Sequence, residues 1–265
     1  MARKKRSVLV VLRQGLLFYL LLMVALGAYL TRARSTDWNE PLTVAVYPVN
    51  GDGSDAATRY IDQLDADSFS PIVTFFARET SRYGVPIEVP VRFALGNVQA
   101  VAPPSPPASG HALGVIAWSL KLRLHTWRVA RRGGVAHPDI RLFVLYHDPA
   151  TNPVLNHSLG LQKGLIGVVN AYASRHERAR NAVVITHEIL HTLGASDKYD
   201  PATNQPLHPD GFAEPQRRPL YPQVRTEIMA GRFATSATEA QMPQSLRSVV
   251  VGALTATEIR WTGKP

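Results

Sequence analysis

Apolar positions along this chain fall into short blocks whose periods predict strands and helices in mixed order. Leu42–Tyr47 reads as a first strand, closed by the turn residues Asn50-Gly51-Asp52-Gly53. Helical spacing follows near 56–66 and 69–83. The second stretch carries Ile72, Phe75, Phe76 and Thr80 on one stripe and stops at Gly84. Ile87–Ala94 alternates as a strand, and Pro103-Pro104-Ser105-Pro106-Pro107 then predicts a stiff surface loop. Between His111 and Arg132, Leu120, Leu122 and Leu124 alternate as in a strand. The stripe Leu113, Ile116, Leu120, Leu124, Trp127 covers a longer window, so a helix is expected there, with Trp118 and Trp127 in the core. Ile140–Tyr146 and Leu165–Tyr172 are β-branched strands, and a helix around residues 183–193 follows. The Pro-rich stretch 199–225 predicts no regular element. A helix is expected near Gln244–Leu254, with a second beginning at Thr255 or Thr257.

The first residues follow a different pattern. After a basic tail at 1–7, Val8–Leu30 is 23 residues of mostly apolar chain, interrupted by Arg13 and Gln14. As a helix this spans about 34 Å, against a hydrocarbon core of about 30 Å. The expectation is therefore a single-pass transmembrane signal-anchor at 8–30, with a polar linker at 31–40 and the remainder, 41–262, exported to the periplasmic or extracellular side. The positive-inside rule leaves the N-terminus cytoplasmic. Secretion after signal cleavage is the alternative.

Charge changes the picture only locally. Residues 1–35 hold seven of the 29 Lys and Arg and no acidic residue, so the rest carries 22 basic against 20 acidic side chains. That balance excludes a nucleic-acid-reading face. The chain has no cysteine, which excludes thiol catalysis, thiolate metal sites and disulfides.

Candidate chemistry lies in His187-Glu188-Ile189-Leu190-His191. Histidines four apart on a helix project from one face, about one turn apart, which suits two ligands of one zinc. Glu188 lies beside them. Zinc acidifies a coordinated water and polarises a carbonyl, and Glu188 would take the proton as general base and pass it to the leaving amine. Two imidazoles leave the ion under-coordinated. Gly194 allows the chain to reverse, and Asp197 can then return as the third ligand, with Asp200, His208 and Asp210 as alternatives. Asp200, Asp210 and Glu214 could also hold calcium, although no loop pattern supports it. Tyr199 is either a packed residue or a donor to the oxyanion.

The stretch HEILHTLGASD, residues 187–197, resembles the extended motif of the metzincin clan of zinc endopeptidases, in the snapalysin-like variant where aspartate replaces a third histidine. The resemblance covers residues 181–232 and includes Thr226-Glu227-Ile228-Met229-Ala230-Gly231, a match to the clan's methionine turn, with Met229 lying 32 residues beyond Asp197. It implies an α+β, zincin-like fold. Its parts would be a mixed twisted sheet, an active-site helix carrying the metal ligands, and an irregular C-terminal subdomain ending in a helix. It further implies that an edge strand, taken as Leu165–Tyr172, pairs with a peptide or protein substrate. The function expected is that of a membrane-anchored zinc endopeptidase. A peptide-binding module with little turnover and a zinc amidase acting on cell-wall peptides are the alternatives.

Overall fold

The computed structural model describes residues 8–107, 111–132 and 134–262; the basic tail expected at 1–7 lies outside the described residues. The chain forms an α+β fold around a five-stranded mixed sheet. The strands are β1 (Leu42–Asn50), β2 (Val91–Leu95), β3 (Ile140–His147), β4 (Leu159–Leu161) and β5 (Ile166–Tyr172), in the order β2-β1-β3-β5-β4. All neighbours are parallel except β4, which runs antiparallel to β5 and forms one edge. The strand expected to be an edge, Leu165–Tyr172, is therefore interior, flanked by β3 and β4. Sequence reasoning missed β4 because three residues, Leu-Gly-Leu, carry too little alternation to register as a strand.

Both faces of the sheet are buried, which is why the central strands read as continuous apolar runs. Leu42, Val44 and Val46 of β1, with Ile140, Leu142 and Val144 of β3, face one core. Helices α2 (Asp55–Ile61), α3 (Ser70–Arg82) and α5 (Arg178–Leu193) supply its other side. The alternate residues Ala45, Tyr47 and Phe143 face a smaller core closed by Leu122 and Val129 of α4 (Ala112–Arg131). The helix expected at 111–132 is thus present. Its register is not the one expected, because Leu113, Leu120 and Trp127 are exposed and Leu122, Thr126 and Val129 are buried. Trp127 stacks under the Arg131 guanidinium, while half-buried Trp118 donates its indole N–H to the Pro104 carbonyl and ties down the Pro-rich loop.

Beyond α5 the chain is irregular. Short strands β6 (Thr226–Glu227) and β9 (Val249–Val250) pair with each other, as do β7 (Phe233–Ala234) and β8 (Ala240–Gln241). The helix expected at Gln244–Leu254 does not form. Its place is taken by a 3-10 turn at Leu246–Ser248, strand β9, and α6 (Ala253–Glu258). The competing interaction is visible in α3. Arg78 and Arg82 donate to the carbonyls of Leu246, Val249 and Val251, and Glu79 accepts the Val251 N–H, so backbone groups a helix would have used internally are held across the fold.

The expected membrane span is not supported. Among the described residues no helix is long and apolar enough to cross a membrane. Helix α1 runs Val8–Ser35, with Arg13 and Gln14 breaking its apolar run and Leu16, Phe18 and Leu21 exposed. Its end is tied to the domain. Arg34 pairs with Glu40 and with Asp139, whose other oxygen accepts the Thr43 N–H. Trp38, buried in the stretch read as a linker, donates its indole N–H to the Ile259 carbonyl. The single-pass anchor falls with the span.

Glu79 is wholly buried between two arginines and a backbone N–H. Replacing it with alanine leaves those donors unmatched and should cost about 3 kcal/mol. Urea unfolding of Glu79→Ala measures this, and a loss under 1 kcal/mol (about the worth of an exposed pair) would refute the assignment.

Candidate metal centre

Helix α5 ends because Gly194 adopts φ 106°, a left-handed conformation at the C-cap. The Gly194 and Ala195 N–H groups bond back to the carbonyls of His191 and Leu190, and the chain reverses. A Cβ on Gly194 would meet only the end of the exposed Gln162 side chain, which can swing away, so it is the left-handed conformation that selects glycine there.

The reversal brings Asp197 to the face of its own helix. Asp197 Oδ1 lies 3.3 Å from His187 Nε2 and 3.2 Å from His191 Nε2, and the two Nε2 atoms are 3.0 Å apart. Among the described residues this is the one group of His, Asp or Glu side chains arranged to hold a metal ion. The triangle passes a simple fit test. A tetrahedral ion with bonds of about 2.0–2.1 Å needs ligand atoms about 3.3 Å apart. The tautomers fit as well. His187 Nδ1 is 3.0 Å from the Ile228 carbonyl and His191 Nδ1 is 2.9 Å from the Ala195 carbonyl. Carbonyls only accept, so each Nδ1 carries the proton and each Nε2 turns a lone pair inward.

The electrostatics follow from this crowding. Burial pushes the Asp197 carboxyl up, but the two histidines outweigh it and hold the group well below the usual carboxylate range. Burial pushes His187 down, and the Asp197 bond, the Glu188 charge and the Ile228 carbonyl together keep it above its ordinary value. Glu188 is raised, chiefly by burial, against the pull of both histidines. Its Oε2 is buried with no hydrogen-bond partner.

Met229 is fully buried in a 3-10 turn, Ile228–Ala230, whose first carbonyl is the His187 partner. Glu227, not singled out from the sequence, fastens this turn. Its carboxylate accepts from the Ala230 and Gly252 N–H groups and the Thr255 hydroxyl. Tyr199 lines the cleft with His187, Glu188 and Asp197, and its hydroxyl is raised by burial and by the two carboxylates. The alternative ligands go elsewhere. Asp200 caps its own turn through the Ala202 N–H and the Thr203 hydroxyl, His208 faces the Pro215 carbonyl, Glu214 pairs with Arg217, and exposed Asp210 joins no metal-holding group. The calcium grouping of Asp200, Asp210 and Glu214 is likewise not assembled.

A buried clamp holds the loop that carries Asp197. Lys198 is 4% exposed and donates to the Ser196 carbonyl, the Ser196 hydroxyl and Glu258 of α6. Ser196 donates both its N–H and its hydroxyl to the same carboxylate. Nothing local signals this pairing, because Lys198 and Glu258 lie 60 residues apart. The cleft itself holds about 630 Å³ and runs along β4. Gly160 of β4 sits so close to α5 that a Cβ would lie 2.3 Å from the Glu188 carbonyl.

Asp197→Ala should lose most of the bound metal, while Asp200→Ala and His208→Ala keep it. Metal analysis of the purified variants decides, and stoichiometric metal in Asp197→Ala would remove it from the ligand set. The clamp has a pH signature. Burial raises Glu258, but Lys198 and Ser196 bring it below its ordinary value of 4.5. A folded pKa below the unfolded one contributes stability that is present above about 4.5 and is lost as pH falls through the folded value. Glu258→Gln should therefore flatten the loss of stability below about pH 4.5, as followed by urea midpoints between pH 3 and 6. An unchanged slope would argue against the clamp.

No family model matches the chain, and no curated protein matches it either.

Proposed function

We propose that this chain is a zinc-dependent endopeptidase of the metzincin type, with His187, His191 and Asp197 as metal ligands and Glu188 as general base. One juxtaposition carries the reading. A three-ligand triangle of tetrahedral dimensions lies beside a buried carboxylate, Glu188, whose Oε2 has no partner in the protein. When bound, zinc supplies Lewis-acid polarisation of the scissile carbonyl and lowers the pKa of water.

The chain's own groups do the rest. Glu188 takes a proton on its carboxylate from the attacking water and returns it to the leaving amine. The Ile228 and Ala195 carbonyls keep both imidazoles in the tautomer that presents Nε2. Tyr199 lines the same cleft, and in this reading its hydroxyl donates to the developing oxyanion. The outer edge of β4 runs beside the triangle and can pair with an extended peptide backbone, which favours a peptide substrate and holds it without reading its sequence. A pure binding module has no use for Glu188, so its retention beside the ligands favours turnover.

Glu188→Gln tests the assignment. It should keep zinc, since Glu188 is not a ligand, and should lower peptide hydrolysis by about 10²–10⁴-fold, since an amide cannot accept the proton. Peptide-library turnover and metal content are measured on the same preparation. Undiminished turnover would exclude this mechanism, and activity that survives chelation would exclude the metal.

A further inference from the structure

A second cleft, of about 650 Å³, lies between α3, the start of α5 and the turn at 245–247. Four arginines line it (Arg78, Arg175, Arg178 and Arg247) and no Asp or Glu does. Thr74 and Ser245 add hydroxyls, while Phe75 and Leu246 provide an apolar floor.

The four guanidiniums are unequally satisfied. Arg78 is committed to Glu79 and to the Leu246 and Val249 carbonyls. Arg175 donates one bond, to Gln63. Arg178 has a buried Nε with no hydrogen-bond partner, and the nearby carboxylate whose charge it meets is Asp65, outside the cleft wall. Among the described residues Arg175, Arg178 and Arg247 form no ion pair. Like charges gathered round one concavity repel, and a desolvated N–H without an acceptor costs further free energy. A doubly charged oxyanion in the cleft relieves the repulsion, because guanidinium forks match phosphate and carboxylate oxygens in pairs.

We propose that this cleft binds a small organic molecule carrying two or more phosphate or carboxylate groups. The charged groups sit against Arg175, Arg178 and Arg247, and the carbon skeleton lies against the exposed apolar lining at Pro71 and Ala179. The volume falls within the range of small-molecule sites, about 300–1,000 Å³, and exceeds what a single inorganic anion fills. The site is separate from the metal cleft and shares no lining residue with it. It therefore stands whether or not the chain is a peptidase.

The test is calorimetric titration of the full chain with pyrophosphate and with citrate at constant ionic strength. At least one should bind saturably with one site per chain, and the tighter of the two identifies the acid group preferred. The double variant Arg175→Gln, Arg247→Gln alters exposed side chains only and should weaken binding about tenfold or more, as expected for losing one charge-assisted bond. Arg128→Gln, on α4, should leave it unchanged. Three results would overturn the proposal: no saturable binding of either anion, undiminished binding by the double variant, or binding lost in Arg232→Gln instead. The last would locate the anion in the metal cleft, which Arg232 lines.

Discussion

The reversal of the backbone at Gly194 is the constraint on which the metal centre depends. A helix can aim two side chains, one turn apart, at a common point, and it has no third on that face within reach. The third must come from chain that has left the helix and turned back immediately. The left-handed Gly194 makes the turn, in a conformation that a residue with a Cβ adopts only under strain. The same turn exposes the Ala195 carbonyl to His191 Nδ1. One bend thus delivers one ligand and orients another.

What surrounds the triangle is built from irregular chain, and side chains give that chain its shape. Glu227 gathers two backbone N–H groups and a hydroxyl and so fixes the turn that contains Met229, and that turn presents the Ile228 carbonyl to His187. Lys198 and Glu258 do the equivalent for Asp197, and the Lys198 N–H bonds to the Met229 carbonyl, joining the two supports. Buried charges are expensive unless every donor and acceptor is matched, and here nearly all are. Glu188 Oε2 is the exception, buried beside the triangle without a hydrogen-bond partner.

How much of this was legible in the sequence depended on how local its cause was. β1, β3, β5 and α5 are long apolar runs of clear period, and their positions could be read directly. His187, Glu188, His191 and Asp197 lie within eleven residues, and their geometry follows from helical spacing and one glycine. β4 was missed because it is three residues long and owes its existence to β5 and to contact with α5. The helix expected at Gln244–Leu254 has a helical pattern, but the arginines of α3 hold its carbonyls in another arrangement. The periodicity of α4 was right and its buried face was not, since a helix apolar on several sides does not declare which side meets the sheet. The membrane reading of Val8–Leu30 rested on length and apolarity, and no described helix is long and apolar enough to bear it out.

The clamp on Asp197 also orders events in time. Lys198 and Glu258 are 60 residues apart, so at about 5–20 residues per second a ribosome makes the second some 3–12 s after the first. Through that interval both histidines already exist on α5, and the loop bearing the carboxylate is tied by its own turn and by the Lys198 N–H bond to the Met229 carbonyl alone. The side-chain clamp closes only when α6 arrives. A chain cut short before Glu258 retains the whole sequence motif and lacks the ion pair that braces its third candidate ligand.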